Sequence, residues 1–167
     1  MAHSSDLRKS AEQFLDRLGK PGDVLDKESL LSLRQHEGAN VPDWLVELLT
    51  ELPLGGVQVG VAADDLEMPL FFEIGDAALI EEINVDSYPG EYLFPRGYVA
   101  LGCGAAWAGD IFVVATSSDD PPVYQVWHDV SDDPEELEQA ILEGKPGTRR
   151  LAASLSELFL NAVIEED

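Results

Sequence analysis

The stretch Gly102-Cys103-Gly104-Ala105-Ala106-Trp107-Ala108-Gly109-Asp110 holds the first candidate chemistry: glycines set between two apolar runs, YVAL before and IFVV after. Glycines so placed can bring backbone N–H groups close to a phosphate. A dinucleotide fingerprint needs G-x-G-x-x-G opening a helix, and Trp107 occupies the third glycine position. The segment that follows is β-branched and reads as a strand, and no Lys-Ser or Lys-Thr follows the glycines to complete a P-loop. These glycines therefore predict a connection between antiparallel strands in which positive φ is tolerated, without a nucleotide cofactor.

Other residues could do chemistry. Cys103 could act as a nucleophile beside His36 or His128, but no neighbouring Lys, Arg or helix start is present to lower its pKa. His128, Asp129, Asp132, Asp133 and Glu135 form an oxygen-rich run that could bind a cation and serve a cation-dependent hydrolase. Its spacing departs from the EF-hand loop, and Asp133 already reads as a helix cap. Acid pairs such as Asp64–Asp65 and Glu81–Glu82 could support proton transfer, yet in a chain with 33 acids nothing distinguishes one pair from another. No catalytic residue, metal ligand or cofactor is assigned, and the chain is read as non-enzymatic.

The charge distribution is more informative. The 167 residues hold 33 acids against 10 Lys and Arg, a net charge of −23. Residues 1–34 are balanced, whereas 35–144 contain 23 acids and one basic residue, Arg96, a local charge of −22. Such a surface repels nucleic acid and anionic membranes and attracts cations or a basic protein. It serves solubility or a salt-adapted proteome equally well, and both readings stay open. One cysteine leaves no internal disulfide, and no apolar stretch approaches the roughly 20 residues of a membrane span. No apolar leader opens the chain, so a cytoplasmic protein is expected.

The elements that must position these residues are legible from periodicity. Leu7, Ala11, Phe14, Leu15 and Leu18 share one helix face, stopped by Gly19 and Pro21. A short helix follows Asp26, with Leu25 and Leu30 placed as a hydrophobic staple. A third runs from Pro42, in its first turn, to Leu52. Strands are expected at 57–61, 70–74, 98–101, 111–116 and 123–127, a short helix at 76–83, and a turn-rich connection at 87–97. Asp133-Pro134-Glu135-Glu136 starts a helix that Gly144–Gly147 breaks. Ser154-Leu155-Ser156-Glu157 is a capping box for a last helix with an apolar stripe to Val163. Helices, then strands, then helices predict an α+β fold: N-terminal helices, a central largely antiparallel sheet, and a C-terminal helix packed on the sheet.

The order of four stretches resembles the SUKH superfamily, which includes the yeast cell-wall assembly regulator and many bacterial immunity proteins. They are VPDWLVELLTELPLGG, GYVALGCGAAWAGDIFVV, PPVYQVWHD and LAASLSELFLNAV, together spanning 41–163. Residues 1–40 read as a helical extension of the same single domain. The insertion VSDDPEELEQAILEGKPGTRR is longer than the family pattern. The resemblance implies an α+β fold and a binding role, in bacterial relatives the neutralisation of a toxin, often a nuclease or deaminase. An acidic protein can plug the basic cleft of such an enzyme. The expected contacts are the loops carrying Trp107, Asp110, Asp119, Asp120, Asp129, Asp132 and Asp133, with Trp107 as apolar anchor. The alternative is a regulatory adaptor or scaffold of the same fold with no toxin partner.

Overall fold

The computed structural model describes residues 2–104, 109–116 and 118–164, and for 2–5 the backbone alone. Its elements are α1 (Ala2–Leu18), α2 (Lys27–Ser32), α3 (Asp43–Glu51), β1 (Gln58–Val61), β2 (Leu70–Ile74), α4 (Ala77–Glu81), α5 (Gly90–Leu93), β3 (Tyr98–Gly104), β4 (Asp110–Val114), β5 (Val123–Val126), α6 (Pro134–Glu143), β6 (Thr148–Ala152) and α7 (Leu155–Leu160). The fold is α+β. The six strands form one antiparallel sheet in sequence order, β1 through β6.

Helices cover both faces of the sheet. Ile111 and Val113 point into a core shared with Phe14 of α1, Leu30 of α2, Leu45 of α3 and Phe159 of α7. Phe112, between them, joins a second core with Ile83, Leu93 of α5, and Leu137 and Ile141 of α6. This explains why β4 reads as an unbroken apolar run, whereas an antiparallel strand with one wet face alternates. The first core is fastened by α1 on α7. Phe14 and Phe159 rings lie 5.5 Å apart, and the Arg17 guanidinium donates to the carbonyls of Ala162 and Phe159 at 3.0 and 2.6 Å.

The helix caps follow the sequence signals. Asp26 Oδ2 accepts the N–H of Ser29, Asp76 Oδ1 that of Leu79, and Asp133 Oδ1 that of Glu135. Ser154 Oγ accepts the N–H of Glu157 at 3.1 Å, and Glu157 Oε2 accepts that of Ala153 at 3.1 Å.

Several boundaries differ from expectation. Pro42 is the N-cap of α3, one residue before its first turn. Helix α7 ends at Leu160, and Val163 instead exchanges two backbone hydrogen bonds with Gly60 at the edge of β1. Strand β6 carries no alternating apolar pattern, because Arg149 and Arg150 fill its centre. It forms because β5 offers it a partner edge. Strand β3 runs on through Gly104, so Gly102 and Gly104 lie in the sheet. A Cβ on Gly102 would stand 1.9 Å from the Glu73 carbonyl oxygen, so close strand approach fixes this glycine.

A shift of register between Ala100 and Gly102 interrupts the β3–β4 ladder. The buried Asn84 amide serves the strand there. Its Oδ1 accepts the Ala100 N–H at 2.8 Å and its Nδ2 donates to the Ala100 carbonyl at 2.9 Å.

Candidate functional site

The meander sorts its connections between two ends of the sheet. The 62–69 and 127–133 segments leave one end, where β3 also finishes and β4 begins, and the 118–122 and 153–154 segments lie at the other. At the first end the sheet curls enough for its outer elements to meet: Arg149 of β6 holds Asp65 of the β1–β2 loop through two contacts, 2.7 and 2.8 Å. Each partner shifts the other's titration, Asp65 downward and Arg149 upward, chiefly through this hydrogen-bonded pair.

The residues expected to meet a partner separate accordingly. Trp107 lies outside the described residues. Asp119 and Asp120 leave the far end of the sheet, where Asp120 Oδ1 accepts the N–H of Ser156 at 2.8 Å and so serves the start of α7. Asp129, Asp132 and Asp133 share the first end and are exposed, Asp133 being also the cap of α6.

Asp110 requires a correction. It is the first residue of β4 and 1% exposed, so it is not a surface charge that steers a partner. The expectation counted it as part of the loop, but register with Cys103 and Val126 draws it into the sheet. Its Oδ1 lies 3.2 Å from His128 Nε2, and its Oδ2 has no hydrogen-bond partner among the described residues. Burial pushes the carboxyl above the usual Asp range, opposed by the bond to His128. Gly109 before it has φ +76°, and a Cβ there would meet the Val126 carbonyl at 2.4 Å.

Cys103 is half-buried opposite Asp110. Burial first, then the charges of Asp110 and Glu73, raise its thiol pKa. A nucleophilic cysteine needs the reverse. The chain past the glycines resumes as strand β4, so no helix N-terminus faces them. Among the described residues, no three His, Cys, Asp or Glu side chains converge as metal ligands. None of the described helices is long and apolar enough to cross a membrane.

Sequence reasoning missed two exposed apolar residues at the first end. Met68 in the β1–β2 loop is 77% exposed and Trp127, just past β5, is 39% exposed. The same two connections carry Asp64, Asp65, Glu67, Asp129 and Asp132, all exposed. Met68 was visible in the run DDLEMP, an apolar side chain among charges. Trp127 was counted as strand. Behind Trp127, a cleft of about 310 Å³ is lined by Tyr88, His128, Asp129, Ser131 and Asp132. Tyr88 is fixed there: its hydroxyl accepts the Ser131 N–H at 2.9 Å and donates to the Ser131 carbonyl, and its ring meets that of Tyr92 edge-on at 5.4 Å.

Comparison with protein-family models, with curated proteins and with solved structures gives no match.

Proposed function

We propose that this chain is a non-enzymatic acidic binding protein of the immunity type, neutralising a basic toxin of nuclease or deaminase class by direct contact. The supporting observation is the sheet end where Met68 and Trp127 stand exposed among Asp64, Glu67, Asp129 and Asp132. Exposed apolar side chains with charged neighbours are what protein interfaces use as anchors. The net charge of −23 adds a field that draws a basic partner and repels nucleic acid. The SUKH-like order of motifs supplies the class of partner, and the cytoplasm is where such a protein would meet it. In this reading Trp127 and Met68 take the anchor role, with Asp129 and Asp132 as steering charges.

Co-expression with the product of the adjacent gene tests the proposal. Protection of the host and co-purification of a basic toxin are expected. Neither protection nor capture would leave the regulatory adaptor as the reading to pursue.

A further inference from the structure

The cleft behind Trp127 has the makings of a cation pocket. Two of its five lining residues are exposed carboxylates, Asp129 and Asp132, and none is Lys or Arg. One wall is the Tyr88 ring, held by its hydroxyl bonds to Ser131 and by Tyr92. A cation gains from an aromatic face as well as from carboxylates. His128, another lining residue, has a side chain 62% exposed that lies 3.2 Å from Asp110, which is itself outside the lining. Asp110 is an independent observation: a carboxylate 1% exposed, with one oxygen on His128 and the other without a partner among the described residues. A buried carboxylate left half-satisfied is costly, and a cationic donor relieves that cost.

We propose that the Tyr88–His128–Asp132 cleft, backed by Asp110, receives a guanidinium group, the side chain of an arginine on the partner. The exposed imidazole turns out into solvent at small packing cost, and guanidinium N–H groups replace it on Asp110. Arginine suits the site better than lysine. Its planar fork offers five donors to more than one carboxylate and stacks on a tyrosine ring, whereas an ammonium is a compact, strongly hydrated point charge. The identity of the arginine's owner rests on the proposed function, but the pocket itself does not.

The test is a titration of the full chain with N-acetyl-arginine amide, followed through the NMR signals of the His128 ring. N-acetyl-lysine amide is the comparison probe. Saturable binding of the arginine probe is expected, with the lysine probe several-fold weaker. Asp110→Asn and Tyr88→Leu should each weaken the arginine probe about tenfold, the scale of one charge-assisted hydrogen bond. Glu28→Gln, exposed on α2 on the other face of the sheet, should leave it unchanged. Should Asp110→Asn fail to fold, Asp132→Asn carries the same expectation from an exposed position. Non-saturating shifts, or equal affinity for both probes untouched by these variants, would overturn the pocket. A pocket that binds the probe in a chain that captures no toxin would fail the function proposal alone. Capture of a toxin with no response to the probe or the variants would fail the pocket alone.

Discussion

The two ends of the sheet use the same residue types for different work. At the end reached by 118–122 and 153–154, polar side chains complete the backbone: Asp120 takes the Ser156 N–H, Ser154 caps α7, and Glu157 accepts the N–H of Ala153. At the opposite end, Asp64, Glu67, Asp129 and Asp132 stand in solvent beside Met68 and Trp127. Among the described residues of that end, Asp133 alone is a cap and Asp65 alone meets an arginine, Arg149. Acids of the first kind are explained by the fold. Acids of the second kind complete no backbone group among the described residues, and like charges gathered at one end favour neither packing nor capping.

Substitutions should expose this division, beginning in the sheet interior that sets the upper scale. Asn84→Ala removes both bonds to Ala100 and leaves a buried N–H and carbonyl without their partner, so a loss of about 2–3 kcal/mol is expected in urea unfolding. A loss under about 0.5 kcal/mol would mean that β3 closes its irregularity unaided. At the closed end, Ser154→Ala should cost about 1 kcal/mol, the usual loss of a helix cap. An unchanged denaturant midpoint would place the start of α7 elsewhere.

At the open end, changing Asp64, Asp129 and Asp132 together to Asn should leave stability within about 0.5 kcal/mol of wild type, or raise it by relieving like-charge repulsion. A clear loss in thermal unfolding would show that these acids are structural too, and the contrast between the ends would collapse.

The smallest effect concerns Asp110, which belongs to neither group. Burial raises its pKa above the unfolded value, so the folded chain holds that proton more tightly. Its contribution to stability therefore falls as pH rises from about 3.9, the ordinary Asp value, through the raised value. Asp110→Asn removes the titration, so the variant should gain on wild type as pH rises across that window. A variant that loses ground to wild type across that window would mean that the bond to His128 outweighs burial.

The fold was legible where local signals and tertiary context agree. The stripe Leu7–Ala11–Phe14 and the caps Asp26, Asp133 and Ser154 need only their own neighbours in sequence. Strand β6 was not legible, because Arg149 and Arg150 owe their strand conformation to β5 and to Asp65, both distant in sequence. Asp110 misled for the same reason: a Gly-Asp pair reads as a turn, and only the register with Cys103 and Val126 buries the side chain. Of the candidate site, the acids at 129–133 were readable from composition. The exposure of Met68 and Trp127 was not, because it depends on which connections the meander delivers to one end.

The most direct test of the open end as a binding surface is the association of this chain with the basic product of the adjacent gene, followed by stopped flow. If the acids steer the encounter, the association rate should fall at least tenfold between about 20 and about 150 mM salt, as screening shortens to about 8 Å. The Asp64, Asp129 and Asp132 variant should associate more slowly at low salt, and Trp127→Ala should mainly speed dissociation. A rate indifferent to salt and to these substitutions, or no complex at all, would contradict the account.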